Sequence, residues 1–203
     1  MPHFTSDPMT LAVVAFLSYL LGSVPFGLVI TRALGLGDLR QIGSGNIGAT
    51  NVLRTGNKGA AFATLILDAA KGGVAVLIAR AVAGPDAAQV AALAAFLGHL
   101  FPLFLNFKGG KGVATFLGTL LALSWPVGLA VCASWLVAAL IFRISSLAAL
   151  IAAASSTFWM IGFGEGRMML LGMVLTLLVF YRHAANITRL KAGTEPKIGK
   201  KQA

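Results

Sequence analysis

A glycine-rich stretch after the first apolar segment is the first place where this sequence could do chemistry. It begins at Gly43, reads GSGNIGATN and is followed by Arg54. Closely spaced glycines let backbone N–H groups approach an anion without side chains in the way. The serine, the threonine, the two asparagines and the arginine supply more donors than a connecting loop needs. The stretch therefore predicts an anion-binding loop, with a merely tight loop as the alternative.

The same stretch formally contains the dinucleotide-binding pattern G-x-G-x-x-G. Asp68 follows Gly48 by 20 residues, close to where that pattern places its acidic residue. The pattern also needs a preceding β-strand and a βαβ unit. Here an apolar, helix-length segment precedes the glycines, and Asp68 lies inside another such segment. The sequence therefore excludes a dinucleotide fold and retains only the anion-binding prediction.

A second cluster combines a histidine with lysines and glycines. It reads GHLFP from Gly98 and FKGGKGVAT from Phe107. It is not a Walker A motif, because Leu105 and Gly112 stand where that motif needs a glycine and a serine or threonine. His99 lies near the end of an apolar segment, where an ionisable residue is a functional candidate by default. The alternative is a histidine that hydrogen-bonds across helices.

Basic residues precede three apolar segments that begin at the same membrane face. Lys58 and Lys111 stand beside glycines, and Arg143 is followed by Ser145 and Ser146. Helix N-termini carry free N–H groups and a partial positive charge, so they favour anions. Three such N-termini together predict a phosphate site at the inner membrane surface.

A third cluster ends the last apolar segment and reads RHAANITRL from Arg182. If the helix continues, His183 and Asn186 share a face and can point into the bundle, while Arg182 and Arg189 face water or lipid headgroups. Glu195 is expected to form a salt bridge in the tail.

Asp68 and Lys71 stand three residues apart inside the second apolar segment. They can pair on one helix face and neutralise each other. A structural ion pair is the favoured interpretation over a catalytic one.

The elements that position these residues are predicted to be membrane-spanning helices. Of the 203 residues, 58% are hydrophobic and 11% are charged, and a soluble domain could not bury so much apolar surface. The apolar residues form blocks of the length that spans a bilayer. The net charge of +10 lies between and after these blocks, which argues against a nucleic-acid partner. The single Cys132 lies in an apolar block, so disulfides and cysteine-based metal sites are not expected.

We predict an all-α integral membrane protein that forms one polytopic domain over residues 1–203. A Ser124-Trp125-Pro126 break separates the fourth and fifth of seven spans, because proline stops a helix and tryptophan favours the interface. The predicted spans are Met9–Ala33, Gly59–Ala83, Ala88–Leu105, Val113–Leu123, Val127–Phe142, Leu147–Gly162 and Met168–Tyr181.

Charge orients these spans with the N-terminus outside and the C-terminus in the cytoplasm. The outer segments then contain only Arg80 and Arg167, beside Asp7, Asp86 and Glu165. This asymmetry is the pattern in which basic residues remain inside. The inner basic residues are Arg32, Arg40, Arg54, Lys58, Lys108, Lys111, Arg143, Arg182, Arg189, Lys191, Lys197, Lys200 and Lys201.

The three clusters together resemble the bacterial membrane glycerol-3-phosphate acyltransferases that use an acyl phosphate as donor, the PlsY family. The matching stretches are GSGNIGATNVLR from Gly43, GHLFPLFLNFKGGKGVAT from Gly98 and RHAANITRLKAGTEPKI from Arg182. The resemblance covers essentially the whole chain. It implies a seven-span protein of the bacterial inner membrane with a cytoplasmic active site, which makes lysophosphatidic acid for phospholipid synthesis without a cofactor or a metal.

The resemblance also implies roles for individual residues. Ser44, His99 and Lys111 are expected to be catalytic, and the remaining site residues to bind substrate. The acyl phosphate is assigned to Ser44, Gly45, Asn46, Gly48, Thr50 and His99. Glycerol 3-phosphate is assigned to Arg54, Lys111, Ser146, His183 and Asn186. Further substrate-binding residues are Asn51, Lys108, Gly109 and Gly110.

The expected reaction is direct attack of the glycerol C1 hydroxyl on the acyl phosphate. The base is either His99 or the phosphate of the substrate. The H-x-x-x-x-D pair of other glycerolipid acyltransferases is absent, because Phe104 and Thr188 stand five residues after His99 and His183. No inner-loop acid other than Asp38 or Glu195 is expected to orient His99.

Two other functions remain as alternatives. A transporter or channel for an organic phosphate could use the same loops as a vestibule, but the cations lie on one side and no inverted repeat of broken helices is evident. A phosphatidyl-alcohol transferase would need a metal held by several aspartates, and the inner loops offer only Asp38.

Overall fold

The computed structural model describes residues 5–199, and throughout that range the regular structure is helical. The predicted all-α class is therefore confirmed for the described residues. Residues 1–4 and 200–203 lie outside the described range. They include the N-terminus and two of the predicted inner cations, Lys200 and Lys201. The chain divides into two compact units, residues 5–123 and residues 124–199, and each is described by itself.

Nine α-helices form the framework of the described residues. The first unit contains α1 Pro8–Gly22, α2 Phe26–Ala33, α3 Ala49–Val52, α4 Lys58–Leu100 and α5 Val113–Leu123. The second unit contains α6 Trp125–Phe142, α7 Ser145–Gly162, α8 Met169–Arg182 and α9 Ala184–Lys191. Short 3-10 turns lie at Leu39–Gln41, Leu53–Thr55, Leu103–Leu105 and Gly166–Met168.

Helix α4 is a hairpin of two limbs rather than one rod. His99 stands 31 residues after Asp68, which in a straight helix would separate them by about 47 Å. Their side chains are instead 3.6 Å apart. The reversal falls at Gly84, whose φ of +88° and ψ of −170° are non-helical, and Pro85 follows it. The limbs, residues 58–83 and 85–100, match the predicted second and third spans, except that Leu103–Leu105 is a 3-10 turn.

The hairpin turn is tied to the start of the chain by Asp86. Its carboxylate accepts the backbone N–H groups of Thr5 and Ser6, each at 2.8 Å. The Ser6 hydroxyl also donates to the Ala83 carbonyl at 2.7 Å. The Asp86 side chain is therefore fully engaged in holding residues 5 and 6 against the hairpin turn, and the residue is only 3% exposed.

Pro25 breaks the first predicted span into α1 and α2. A proline interrupts the regular hydrogen bonding of a helix, and in an apolar environment the backbone carbonyls at such a break need protein donors. The carbonyl of Val24 receives the Lys71 ammonium group at 2.8 Å. Close by, the Tyr19 hydroxyl donates to the Phe101 carbonyl at 2.6 Å. The break is thus bonded to both limbs of α4.

Small residues let the helices of the first unit touch through their backbones. A Cβ atom on Gly22 would overlap the backbone of Ala95, and one on Gly98 would overlap the carbonyl of Tyr19, so α1 lies directly on the second limb of α4. A Cβ atom on Gly118 of α5 would likewise overlap the backbone of Ala69. Such contacts are typical of helix packing in membranes, where interfaces favour small residues.

The second unit begins where the sequence predicted a break. Ser124 is the N-cap of α6, and Pro126 lies in its first turn. Helices α6 and α7 are joined by the Trp159 indole, which donates to the Ser134 hydroxyl at 2.9 Å. Helices α7 and α8 are joined by the Thr176 hydroxyl, which donates to the Ala153 carbonyl at 2.9 Å.

Length and apolar composition support an integral membrane protein. Four stretches of the described residues are long and apolar enough to cross a bilayer, and a fifth is added if α8 and α9, bent by 63°, form one span. The four are Pro8–Ala33, Lys58–Leu105, Trp125–Phe142 and Ser145–Gly162. The count of seven and the orientation stay predictions.

The C-terminal tail folds back onto α7 and α9 through Glu195. Its carboxylate accepts the Arg189 guanidinium at 2.7 Å and the Ser146 hydroxyl at 2.7 Å. The predicted tail salt bridge is therefore present. Burial raises the pKa of Glu195, but the hydrogen bonds from Ser146, Asn186 and Arg189 outweigh burial and hold that pKa below its ordinary value of 4.5.

We predict that the tail contact stabilises the protein at neutral pH and fails in acid. Because the folded-state pKa of Glu195 is lowered, its stabilisation is complete above pH 4.5 and is lost as the pH falls through the lowered value. Glu195→Gln should therefore lower the free energy of unfolding by about 1.5–3 kcal/mol at pH 7, with a gap that closes in acid. Thermal unfolding in detergent, followed by tryptophan fluorescence from pH 7 to pH 3, measures this gap. Glu165→Gln is the control, and a gap that stays constant with pH would contradict the assignment.

Candidate active site

The glycine-rich loop of the first unit is a tight turn that consumes some of its own N–H groups. Gly43 and Gly45 have φ values of +54° and +67°, which favour glycine. The Ser44 N–H donates to the Asn51 side-chain oxygen at 3.3 Å, and the Gly45 N–H donates to the Ile42 carbonyl at 2.9 Å. These two N–H groups point into the loop and do not face an anion outside it. Fewer backbone N–H groups than the sequence predicted can therefore converge on an anion.

Asn51 holds this loop in shape. It is 2% exposed, and its amide nitrogen donates to the carbonyls of Leu39 and Ile42 at 3.0 and 2.9 Å. Its oxygen accepts the Ser44 N–H described above. These contacts support a positioning role, and substrate binding by Asn51 stays a prediction.

Exposed donors surround the glycines. Ser44, Thr50 and Arg54 are exposed, while Gly45, Asn46 and Gly48 are half-buried. The Arg54 side chain lies against Gly43, where a Cβ atom would overlap the guanidinium group. The structure thus brings Arg54 to the glycine loop, as the sequence predicted, and leaves these three side chains accessible to a phosphate.

The lysine-glycine loop closes back onto the end of α4. The N–H groups of Gly109 and Gly110 donate to the carbonyls of Leu100 and His99 at 3.2 and 3.1 Å. Lys108 is exposed and Lys111 is half-buried. Lys111 lies two residues before α5, as predicted for a cation beside a helix N-terminus.

His99 is buried and has an acidic neighbour that the sequence analysis missed. It is 4% exposed, and its Nδ1 atom lies 3.6 Å from a carboxylate oxygen of Asp68. The same oxygen is 2.8 Å from the Lys71 ammonium. The predicted ion pair is present, and the acid beside His99 comes from within α4 rather than from the inner loops that the sequence analysis considered. The hairpin at Gly84 brings the two limbs together, and no local spacing encodes that contact.

Asp38 forms a local ion pair instead. Its carboxylate lies 2.6 Å from the Arg40 guanidinium. This hydrogen bond is the main reason that the pKa of Asp38 is lowered to about 2. Asp38 therefore fixes the turn before the glycine loop.

The third cluster lies in the second unit, at a bend. His183 is the C-cap of α8 and the N-cap of α9, so the helix does not continue unbroken through this cluster. The structure places both His183 and Asn186 in the interior, at 2% and 4% exposed. The His183 Nδ1 atom contacts the Val179 carbonyl at 2.8 Å.

A carboxylate contacts two of the three predicted substrate-binding residues of this unit. Glu195 accepts the Asn186 amide at 2.5 Å in addition to the Ser146 hydroxyl. Arg189, which we expected to face water or headgroups, pairs with the same carboxylate. Ser146 and Asn186, two of the residues predicted to bind substrate in this unit, therefore already hold one anion.

The described residues contain no group of three histidine, cysteine, aspartate or glutamate side chains that could hold a metal ion. The polar groups at hand are hydroxyls, amides, guanidinium and ammonium groups. Such donors bind phosphate by charge-assisted hydrogen bonds.

Comparison with known proteins finds a matching family model and close sequence relatives. The model of the glycerol-3-phosphate acyltransferase family matches residues 12–193. A glycerol-3-phosphate acyltransferase of Ruegeria pomeroyi is 68% identical over 203 residues, which is the whole of both chains. One from Cereibacter sphaeroides strain ATCC 17029 is 68% identical over 201 residues, which cover 99% of this chain and 100% of that one.

Solved structures agree with these sequence relatives. The glycerol 3-phosphate form of PlsY, an integral membrane glycerol 3-phosphate acyltransferase, matches with a TM-score of 0.88 at 40% identity, over 93% of this chain and 96% of that one. The lysophosphatidic acid form matches with a TM-score of 0.86 at 39% identity, over 93% and 95%. The chain therefore belongs to the glycerol-3-phosphate acyltransferase family of integral membrane enzymes, the PlsY family, as its three motifs predicted.

Proposed function

We propose that this acyltransferase moves a fatty acyl chain from acyl phosphate to the C1 hydroxyl of glycerol 3-phosphate and so forms lysophosphatidic acid. The names of the two similar PlsY structures contain the acceptor and the product of such a transfer. The observation in this chain that carries the proposal is the set of exposed donors Ser44, Thr50 and Arg54 around the glycine loop. A loop of that kind suits a phosphate group.

An acyl phosphate donor fits the chemistry that these residues offer. It is a mixed anhydride, so its leaving group departs as phosphate and needs charge neutralisation rather than protonation. The glycerol oxygen attacks the acyl carbon, the bond from that carbon to the phosphate oxygen breaks, and the hydroxyl proton passes to a base. His99 is buried, and its Nε2 edge lies against Gly110. That burial favours the phosphate of the substrate as the base.

The membrane arrangement that we propose has seven spans, with the catalytic loops at the cytoplasmic face of the bacterial inner membrane. Counting the two limbs of α4 separately, taking α1 and α2 as one span and adding α5 to α6, α7 and α8 gives seven. The glycine loop and the lysine-glycine loop then lie on one side. All the basic residues except Lys71, Arg80 and Arg167 are predicted on that same side, which favours the cytoplasm.

Single cysteines test this topology in intact cells. The outer probe is Gly166→Cys, because Gly166 is exposed and a Cβ atom there meets nothing within 4 Å. The inner probe is Lys191→Cys, also at an exposed position. In a Cys132→Ser background, a membrane-impermeant thiol reagent should label position 166 and should label 191 only after lysis. Labelling of 191 alone in intact cells would invert the proposed orientation.

A single-turnover assay in detergent tests the activity and separates an enzyme from a transporter. Purified protein mixed with acyl phosphate and glycerol 3-phosphate should release phosphate and lysophosphatidic acid in equal amounts. Arg54→Lys should lower kcat/KM by about tenfold to a hundredfold, because lysine cannot copy the planar, two-pronged donor. Arg40→Lys, at another exposed arginine of the segment, is the matched control.

Two results of this assay would count against the proposal. No product from the wild-type protein would remove the activity, and product only from another acyl donor would remove acyl phosphate. Equal kinetics of Arg54→Lys and Arg40→Lys would remove Arg54 from the site.

We further propose that transfer is direct, without an acyl-enzyme. A serine nucleophile needs an adjacent base, whereas Ser44 is exposed and the ring of His99 is buried. Positioning two substrates can by itself lower a barrier by about 7–11 kcal/mol in the best cases. Ser44 then serves as a hydroxyl donor to phosphate.

The mechanism predicts that Ser44→Thr retains more activity than Ser44→Ala, because threonine keeps the hydroxyl. Intact-mass spectrometry of protein quenched after mixing with acyl phosphate alone should show unmodified protein. A stoichiometric acyl adduct on Ser44 that glycerol 3-phosphate discharges would establish the covalent route instead.

A further inference from the structure

A cluster of three ionisable side chains is buried in the first unit, where the break between α1 and α2 meets the hairpin. Asp68, Lys71 and His99 are each 3–4% exposed. One Asp68 oxygen lies 2.8 Å from the Lys71 Nζ atom and 3.6 Å from the His99 Nδ1 atom. The carboxylate is therefore shared between a cation and an imidazole.

The positive charge of Lys71 is engaged by groups of the protein itself. Besides Asp68, its ammonium donates to the Val24 carbonyl at 2.8 Å and lies 5.7 Å from the ring centre of Phe26. Only 3% of the Lys71 surface is exposed. Lys71 fixes and neutralises the carboxylate that faces His99.

His99 contacts the lysine-glycine loop at two points. Its backbone carbonyl accepts the Gly110 N–H at 3.1 Å. The ring edge opposite Asp68 lies so close to Gly110 that a Cβ atom there would overlap Nε2. The orientation of the imidazole therefore sets where Gly110 can lie, and Lys111 is the next residue.

We infer that Asp68, held by Lys71, is a positioning residue that acts through His99 on the loop 108–112 and so places Lys111 for phosphate binding. The inference rests on the proposed function. A carboxylate oxygen 3.6 Å from Nδ1 favours, by its negative charge, the ring orientation that turns this nitrogen towards it. This His–Asp pair cannot be recognised from local sequence spacing, because the acid precedes the histidine by 31 residues.

The competing explanation is an ion pair that serves folding alone. The double variant Asp68→Leu with Lys71→Met separates the two, because removing both charges together avoids leaving either one buried without its partner. It should unfold close to the wild-type temperature and yet lose about tenfold to a hundredfold of the acyl-transfer rate, by analogy with the loss when the partner of a metal-binding histidine is removed. If the double variant has both the stability and the activity of the wild-type protein, the ion pair serves folding alone and the inference is overturned.

A double-mutant cycle with Asp68→Asn and His99→Gln keeps the inference testable if the double apolar variant does not fold. If Asp68 acts through His99, the loss in kcat/KM from Asp68→Asn should largely vanish in the His99→Gln background. Independent, additive losses in the two backgrounds would contradict it.

The loop itself supplies a readout that does not depend on activity. Hydrogen–deuterium exchange of the Gly109 and Gly110 amides should rise in Asp68→Asn. The matched control is Asp86→Asn, an equally buried aspartate on α4, which should lower stability without changing exchange in the loop or kcat. Unchanged exchange at Gly109 and Gly110 in Asp68→Asn would sink the inference, whereas an inactive wild-type protein would count only against the proposed function.

Discussion

The Asp68–Lys71 ion pair is the centre around which the polar contacts of the first unit are arranged. A single charge in an apolar environment is costly, so each partner requires the other. Lys71 also donates to the Val24 carbonyl at the break between α1 and α2. The backbone carbonyl of Asp68 accepts the Thr115 hydroxyl from α5 at 2.8 Å. The helix break, the hairpin and α5 thus share one polar centre within an otherwise apolar unit.

The two units present their polar groups in different ways. In the first, the side chains that could bind phosphate are exposed around a loop whose shape Asn51 holds from inside. In the second, Ser146 and Asn186 are buried and already engaged by a carboxylate of the same chain. A carboxylate is an anion with several acceptor sites, as a phosphate is. The geometry that suits Glu195 therefore shows that this unit can accommodate negative charge in its interior.

Local patterns in the sequence predicted the helices well, and long-range contacts account for what they missed. The segments α6 and α7 begin within two residues of the predicted spans, because apolar blocks and the Trp125-Pro126 break are local signals. The glycine loop and its arginine were also recognisable from composition. The partner of His99 was not, because it depends on the reversal at Gly84. The bend at His183 was missed for a different reason, because RHAANITRL contains no glycine or proline to mark it.

Backbone contact between helices has a consequence for how natural variants of this chain should be interpreted. At Gly22, Gly98 and Gly118 the neighbouring main chain occupies the place of a side chain. Alanine there is mild on any hydropathy scale and preserves the membrane-spanning character of the segment, yet it forces two helices apart. Leu140, 70% exposed on α6, can exchange with other apolar residues at little cost. Hydropathy alone therefore does not distinguish a substitution that separates two helices from one that the fold accepts.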